Sequence, residues 1–112
     1  MKITTWNVNS IKARLPHVID YLCQESPDVV LLQETKVVDE AFPALEIEDL
    51  GYNVIVHGQK TYNGVAILAR QQIFDVVKNV PWTDDVQARG IAASIDDFEI
   101  VNLYVPNGSE VG

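Results

Sequence analysis

The apolar residues between Lys2 and Gln33 change period twice, and this restricts the fold more than any other feature of the chain. "KITTW" is β-branched and aromatic and predicts a strand, and the asparagines and serine of the following "NVNS" are turn formers. Leu15, Val18, Ile19, Leu22 and Cys23 then fall at i, i+3, i+4, i+7 and i+8, the stripe of an amphipathic helix. Pro16 suits its first turn and Pro27 lies beyond its end. "DVVLLQ", residues 28–33, is an apolar run that reads as a buried strand. Strand, helix, buried strand is a βαβ unit, whose two strands run parallel through a right-handed crossover and end at the same sheet edge.

Past that unit the pattern shortens. "FPALEIEDLGY" predicts a short helix closed by Gly51. Strands are expected near 52–57, 64–70, 73–80, 90–96 and 98–105, with hairpin turns at "QKTYNG" and at Asp96 and Asp97. One βαβ unit followed by hairpins implies an α/β chain (α+β in some schemes) built on a mixed sheet with helices on one face. Late segments such as "GVAIL" and "IVNLYV" carry apolar residues on both faces, so the second face of the sheet should require a partner layer.

Composition removes several classes of function. With 112 residues, 47 % of them hydrophobic and 21 % charged, the chain is one globular domain at most and is not a disordered segment. A single cysteine excludes an internal disulfide and a cysteine-rich zinc site, and its place on the stripe makes Cys23 a small core residue. No stretch nears the roughly 18 apolar residues of a membrane span, and "MKITTWNVNS" lacks a signal-peptide core, so a cytoplasmic protein with no membrane partner is expected. Sixteen acidic residues against eight basic ones give a formal charge of −8, which would repel nucleic acid if spread evenly. The spread is uneven: residues 39–49 hold five acids and no base, whereas Lys2, Lys12 and Arg14 crowd the N-terminus.

The parallel pair delivers Asn7 after its first strand and Glu34 after its second, at the carboxyl edge where open α/β sheets bind ligands. A carboxylate beside an amide oxygen, with few other acids near, suits magnesium, which takes hard oxygen ligands and retains several waters. Glu34 is then the direct ligand and Asn7 a ligand or an orienting neighbour. Each residue alone has a plainer explanation, a turn-forming asparagine and a solvated loop glutamate.

The combination carries more. "TWNVNSIKAR", "PDVVLLQETK", "GYNVIVHGQKTYNGVAIL", "DVQARGIAASI" and "VNLYVPNG" occur in this order along nearly the whole chain. Together they resemble the exodeoxyribonuclease III and abasic-site endonuclease branch of the endonuclease/exonuclease/phosphatase superfamily. "QETK" and "YVPNG" favour that branch over the inositol-phosphatase and sphingomyelinase branches.

The resemblance implies a DNA-repair nuclease that hydrolyses DNA phosphodiesters at abasic sites and 3′ ends with Mg2+ (or Mn2+). Carried across position by position, it makes Glu34 the metal ligand with Asn7 beside it, and Tyr104, Asn7 and Asn107 the active-site residues. Lys12, Lys36, Lys60, Tyr62, Asn63 and Arg89 fall in segments that face DNA. Asn9 stands where some relatives carry an aspartate, which makes it a weaker ligand, and Ser10 replaces the more usual glycine. His17 and His57 match no catalytic position, and Trp6 and Trp82 read as packing residues.

The resemblance also implies a four-layer α/β-sandwich, of which residues 1–112 form the N-terminal lobe. The base and the histidine pair of the family's reaction belong to its later half. The expectation is therefore a portion of a longer, monomeric enzyme acting on double-stranded DNA, inactive by itself. Two other readings remain: a phosphatase acting on inositol phosphates or similar small substrates, and a non-catalytic half-lobe that binds a partner through an open sheet face.

Overall fold

The computed structural model describes residues 1–59, 62–78 and 90–104. Strand β1 (Ile3–Asn7) leads through a tight loop into helix α1 (Ile11–Glu25), and β2 (Val29–Gln33) returns parallel to β1. A 3-10 turn at Asp39–Ala41 and the short helix α2 (Ala44–Glu48) follow, then β3 (Asn53–His57) and β4 (Val65–Ala69). Three further strands, β5 (Ile73–Lys78), β6 (Gly90–Ile95) and β7 (Phe98–Leu103), complete the described chain.

Helix α1 starts one turn earlier than its stripe suggests. Ser10 caps it, its Oγ accepting from the Ala13 amide at 3.3 Å, and Ile11 is fully buried. Pro16 is consequently inside the helix rather than in its first turn, where it removes one helical hydrogen bond on the exposed side. The buried line runs through Ile11, Val18 and Leu22. At about 100° per residue Cys23 lies roughly 100° round from Leu22, and it is exposed, not a core residue.

The strands form two sheets, not one. The first has the order β1-β2-β4-β3, with β1 and β2 parallel and the other pairs antiparallel. The second is the antiparallel set β5-β6-β7, turned at Asp96 and Asp97 as expected, Asp96 taking φ 52°. Arg70 to Gln72 carry the chain from one sheet to the other.

The partner layer expected for the second face comes from within the chain. Val30, Leu32, Ala66 and Leu68 pack against Val18, Leu22 and Ile47 of the helices. Val29, Val65, Ile67 and Ala69, on the opposite face, pack against Ile91, Ala93, Ile95 and Ile100 of the second sheet. The unbroken apolar character of β2 and β4 has this cause: both faces are covered, so alternation disappears. All five residues of β4 are buried. The chain thus stacks helices, sheet and sheet, and the open face moves to the second sheet, where Phe74, Val76, Val101 and Leu103 are exposed.

The edge away from the parallel strands' carboxyl ends is closed by Asp28. Its carboxylate accepts from the Lys2 amide at 2.7 Å and from the Gln71 side chain at 3.3 Å, and its carbonyl accepts from the Arg70 amide at 3.0 Å. The backbone amide of Lys2 holds the Asp28 carboxyl below its ordinary range, and the Lys2 ammonium, bonded to Glu25 at 2.7 Å, does the same for Glu25.

Candidate active site

At the other edge β1 and β2 end in register, Asn7 opposite Gln33, and the loops beyond them stay paired. The Val8, Ser10 and Ile11 amides donate to the carbonyls of Gln33, Glu34 and Thr35 at 3.0, 2.8 and 3.1 Å. The parallel register therefore carries Asn7 and Glu34 out of the sheet side by side. Asn7 Nδ2 donates to Glu34 Oε2 at 2.6 Å, and Asn7 Oδ1 accepts from the Asn9 amide at 3.1 Å. Lys36 Nζ donates to Asn9 Oδ1 at 2.5 Å and lies 3.8 Å from Glu34 Oε1.

Both ends of the Asn7 amide are thus engaged, and this orientation fixes the Glu34 carboxylate. Lys36 offsets the carboxylate's charge without closing a tight pair. The Glu34 side chain is 22 % exposed, enough for an incoming ligand to reach it.

The backbone around this group is strained. Asn9, Ser10, Glu34, Lys36 and Asn63 have φ of 45°, 90°, 56°, 61° and 56°, five of the eight non-glycine residues with positive φ among those described. For Ser10, Glu34 and Lys36 this costs about 1–2 kcal/mol each, less for the two asparagines, and persists only where the surroundings determine it. Here the Lys36 amide donates to the Asn63 carbonyl at 2.8 Å and the Thr35 amide to the Gly64 carbonyl at 3.2 Å. Thr35 is 1 % exposed and lies against Gly64, where a Cβ would stand only 2.1 Å from its Oγ1. Ser10, in place of glycine, keeps a glycine-like conformation, and its capping bond to α1 offsets part of the cost.

The predicted positions fall into three groups. Asn7, Glu34 and Lys36 meet directly, with Asn9 joining them. Lys12 is exposed in the first turn of α1, Tyr62 is 67 % exposed beside the β4 entry, and Tyr104 follows β7, half-buried against the core between the sheets. Asn63 is only 8 % exposed, its amide donating to Gln59 at 3.1 Å while its carbonyl supports Lys36. Lys60, Arg89 and Asn107, and likewise Trp82, lie outside the described residues. Trp6 packs edge-on to Tyr21, with ring centres 5.7 Å apart. His17 is exposed and His57 is half-buried.

Sequence reasoning missed one residue here. Asn102 of β7 is 1 % exposed and reaches across to the first sheet. A signal existed: Asn102 alternates with Ile100 and Tyr104, so it holds a core-facing position with a polar side chain.

Among the described residues no three histidines, cysteines, aspartates or glutamates gather in one place. This leaves a single carboxylate at an exposed strand end, amid amide oxygens and no sulfur, a donor set that suits a hard divalent cation using one or two carboxylates and its own waters. Glu34 is the residue that could hold such an ion, and Asn7 the residue that orients it.

Comparisons with known proteins show what the chain is similar to. The chain is 40 % identical over 114 residues to exodeoxyribonuclease III of Haemophilus influenzae, covering 96 % of this chain and 42 % of that protein. Among solved structures, a Neisseria 3′ phosphatase bound to a product DNA hairpin superposes with a TM-score of 0.89 at 46 % identity, covering 93 % of this chain and 41 % of that one. An AP endonuclease from Archaeoglobus fulgidus gives 0.90 at 40 % identity, covering 95 % and 41 %. The chain therefore spans about two fifths of the length of these relatives. The profile of the Endonuclease/Exonuclease/phosphatase family matches residues 4–110, nearly the whole chain, and the chain belongs to that family.

Proposed function

We propose that these 112 residues are the N-terminal portion of a longer, cytoplasmic and monomeric DNA-repair nuclease that hydrolyses DNA phosphodiesters at abasic sites and 3′ ends. The observation that carries this reading is the Glu34 carboxylate held by Asn7 at 2.6 Å at the carboxyl end of two parallel strands. Its relatives support the substrate: one is named exodeoxyribonuclease III, one an AP endonuclease, and one was solved with a product DNA hairpin. Among the described residues no helix is long and apolar enough to cross a membrane.

Glu34 is the residue we assign to a divalent cation, Mg2+ (or Mn2+). When bound, the ion supplies Lewis-acid polarisation of the phosphoryl oxygen and stabilises the charge of the transition state. Asn7 keeps the carboxylate oriented, so no reorganisation of that group is needed during reaction. Lys36, 3.8 Å from the carboxylate, places a cation at the rim where a phosphate would lie. Lys12, Lys36, Lys60, Tyr62, Asn63 and Arg89 form the proposed DNA-facing set, which positions the duplex without reading its sequence. Asn63 acts through its carbonyl's support of Lys36. Tyr104 and Asn107 are the remaining active-site groups assigned to this portion, and the general base comes from the rest of the protein.

The test is a substrate comparison with the full-length protein and Mg2+. Incision of a duplex carrying one abasic site, together with 3′-end degradation, is expected to exceed hydrolysis of inositol phosphates by orders of magnitude. A preference for the small phosphates would replace the nuclease with a phosphatase.

A further inference from the structure

The active site proposed above draws groups from two sheets: Glu34 and Asn7 from the first, Tyr104 from the strand that ends the second. The contact between the sheets is largely apolar, Val29, Val65 and Ile67 against Ile91, Ile95 and Ile100. Apolar contact is non-directional, so it brings the sheets together without fixing their register. A directional link is needed to set Tyr104 relative to Glu34.

Asn102 supplies one. Its Nδ2 donates to the carbonyls of Leu32 in β2 and Ala66 in β4, each at 2.9 Å. Two carbonyls can be faced only by the donor end, so the amide's orientation is determined, and Oδ1 is directed to Gln33, whose Nε2 donates to it at 2.8 Å. The same Gln33 nitrogen donates to Thr5 Oγ1 of β1 at 2.9 Å. Gln33 is paired with Asn7, immediately precedes Glu34, and accepts the Val8 amide on its carbonyl. Asn102 thus grips the residue from which both members of the Asn7–Glu34 pair are suspended, and Tyr104 lies two residues further on the same side of its strand. A buried amide with every polar atom bonded is worth more for geometry than for stability, because its alternatives leave buried groups unpaired.

We infer that Asn102 is a positioning residue for this site, coupling the Tyr104 strand to the Asn7–Glu34 pair through Gln33. This rests on the nuclease reading for its catalytic consequence only; the structural coupling stands apart from it. In the full-length protein, Asn102→Leu removes the link and keeps the branched side-chain skeleton, and Gln33→Met removes it from the other end should the first variant not fold. Ile100→Val, which thins the apolar contact of the same strand, is the control.

The readouts are the Asn7 carboxamide resonances by NMR and the kcat and KM for incision of an abasic-site duplex. Both link variants are expected to shift the Asn7 signals and lower kcat about tenfold, since small misplacements of catalytic groups are costly, with KM within about twofold. Ile100→Val should do neither. Unmoved Asn7 signals, a kcat within about twofold of the parent in an active enzyme, or a matching response in Ile100→Val would overturn the inference. A parent protein that does not hydrolyse DNA would defeat the nuclease reading instead, and the Asn7 signals alone would then decide the coupling.

Discussion

Gly64→Ala tests whether the Glu34 loop is built as tightly as its geometry implies. Gly64 has φ 96°, and an added Cβ would lie 2.1 Å from Thr35 Oγ1 and 3.1 Å from the Lys36 amide nitrogen. Gly51 has nearly the same φ, 95°, with nothing within 4 Å of an added Cβ, so Gly51→Ala measures the conformational cost alone. That cost is about 1–2 kcal/mol, less about 0.4–1 kcal/mol recovered from the unfolded chain, or roughly 1 kcal/mol net. At Gly64 the clash adds to it. Thr35 is buried and β-branched, and its amide bonds to the Gly64 carbonyl, so it cannot swing aside, and overpacking of this kind costs about 1–3 kcal/mol more.

Gly64→Ala should therefore lose about 2–4 kcal/mol against about 1 kcal/mol for Gly51→Ala, read as urea midpoints at unchanged slope. Relaxation of the clash would also push Thr35 away and displace Glu34 and Lys36 on either side of it. If the two variants lose the same stability within about 0.5 kcal/mol, the contact beneath the loop is not tight and the argument from packing fails.

Ser10 offers a contrast between strain and capping. Ser10→Gly relieves φ 90° and gives up only a few tenths of a kcal/mol of capping, so its stability should stay within about 1 kcal/mol of the parent. Ser10→Ala keeps the strain and loses the cap, and should fall about 1 kcal/mol below the parent by thermal denaturation; an unchanged stability would refute the capping role. Asp28 and Glu25 have lowered folded values, so the stability they contribute is complete above the ordinary carboxylate range and is lost as pH falls through those lowered values. Asp28→Asn should flatten the acid limb of the urea midpoint against pH, and an unchanged limb would contradict the Lys2 bond as its cause. The 112-residue chain alone should give no Mg2+-dependent incision of an abasic-site duplex, and any such incision would show that this portion carries the full set of reacting groups.

Much of this architecture was legible because periodicity reports burial. The change from strand to helix and back between Ile3 and Gln33 located the βαβ unit, and the parallel pairing then placed Asn7 beside Glu34 without further information. What periodicity could not report was the partner of each face. "GVAIL" shows that both faces of β4 are apolar, but the residues that cover them are distant in sequence, so the second sheet read as a continuation of the first. The start of α1 was missed because Ser10 and Ile11 lie before the visible stripe, and Cys23 because a stripe has a width that a list of spacings does not give. Of the site, charge and loop position marked Glu34, and the family resemblance marked Lys36. The Asn102–Gln33 link depended on a contact between sheets, 69 residues apart along the chain, and was visible only as a polar residue out of place.

The central claim is that Glu34, oriented by Asn7, holds the divalent ion of a DNA-cleaving site. Glu34→Gln in the full-length protein tests it most directly, because the amide keeps the shape and removes the charge. Incision of a duplex with one abasic site, followed across a Mg2+ titration, should fall by about 10²–10³ in kcat, with circular dichroism and thermal midpoint retained. Activity within about threefold of the parent at the same Mg2+ concentration would contradict the assignment of Glu34 to the metal.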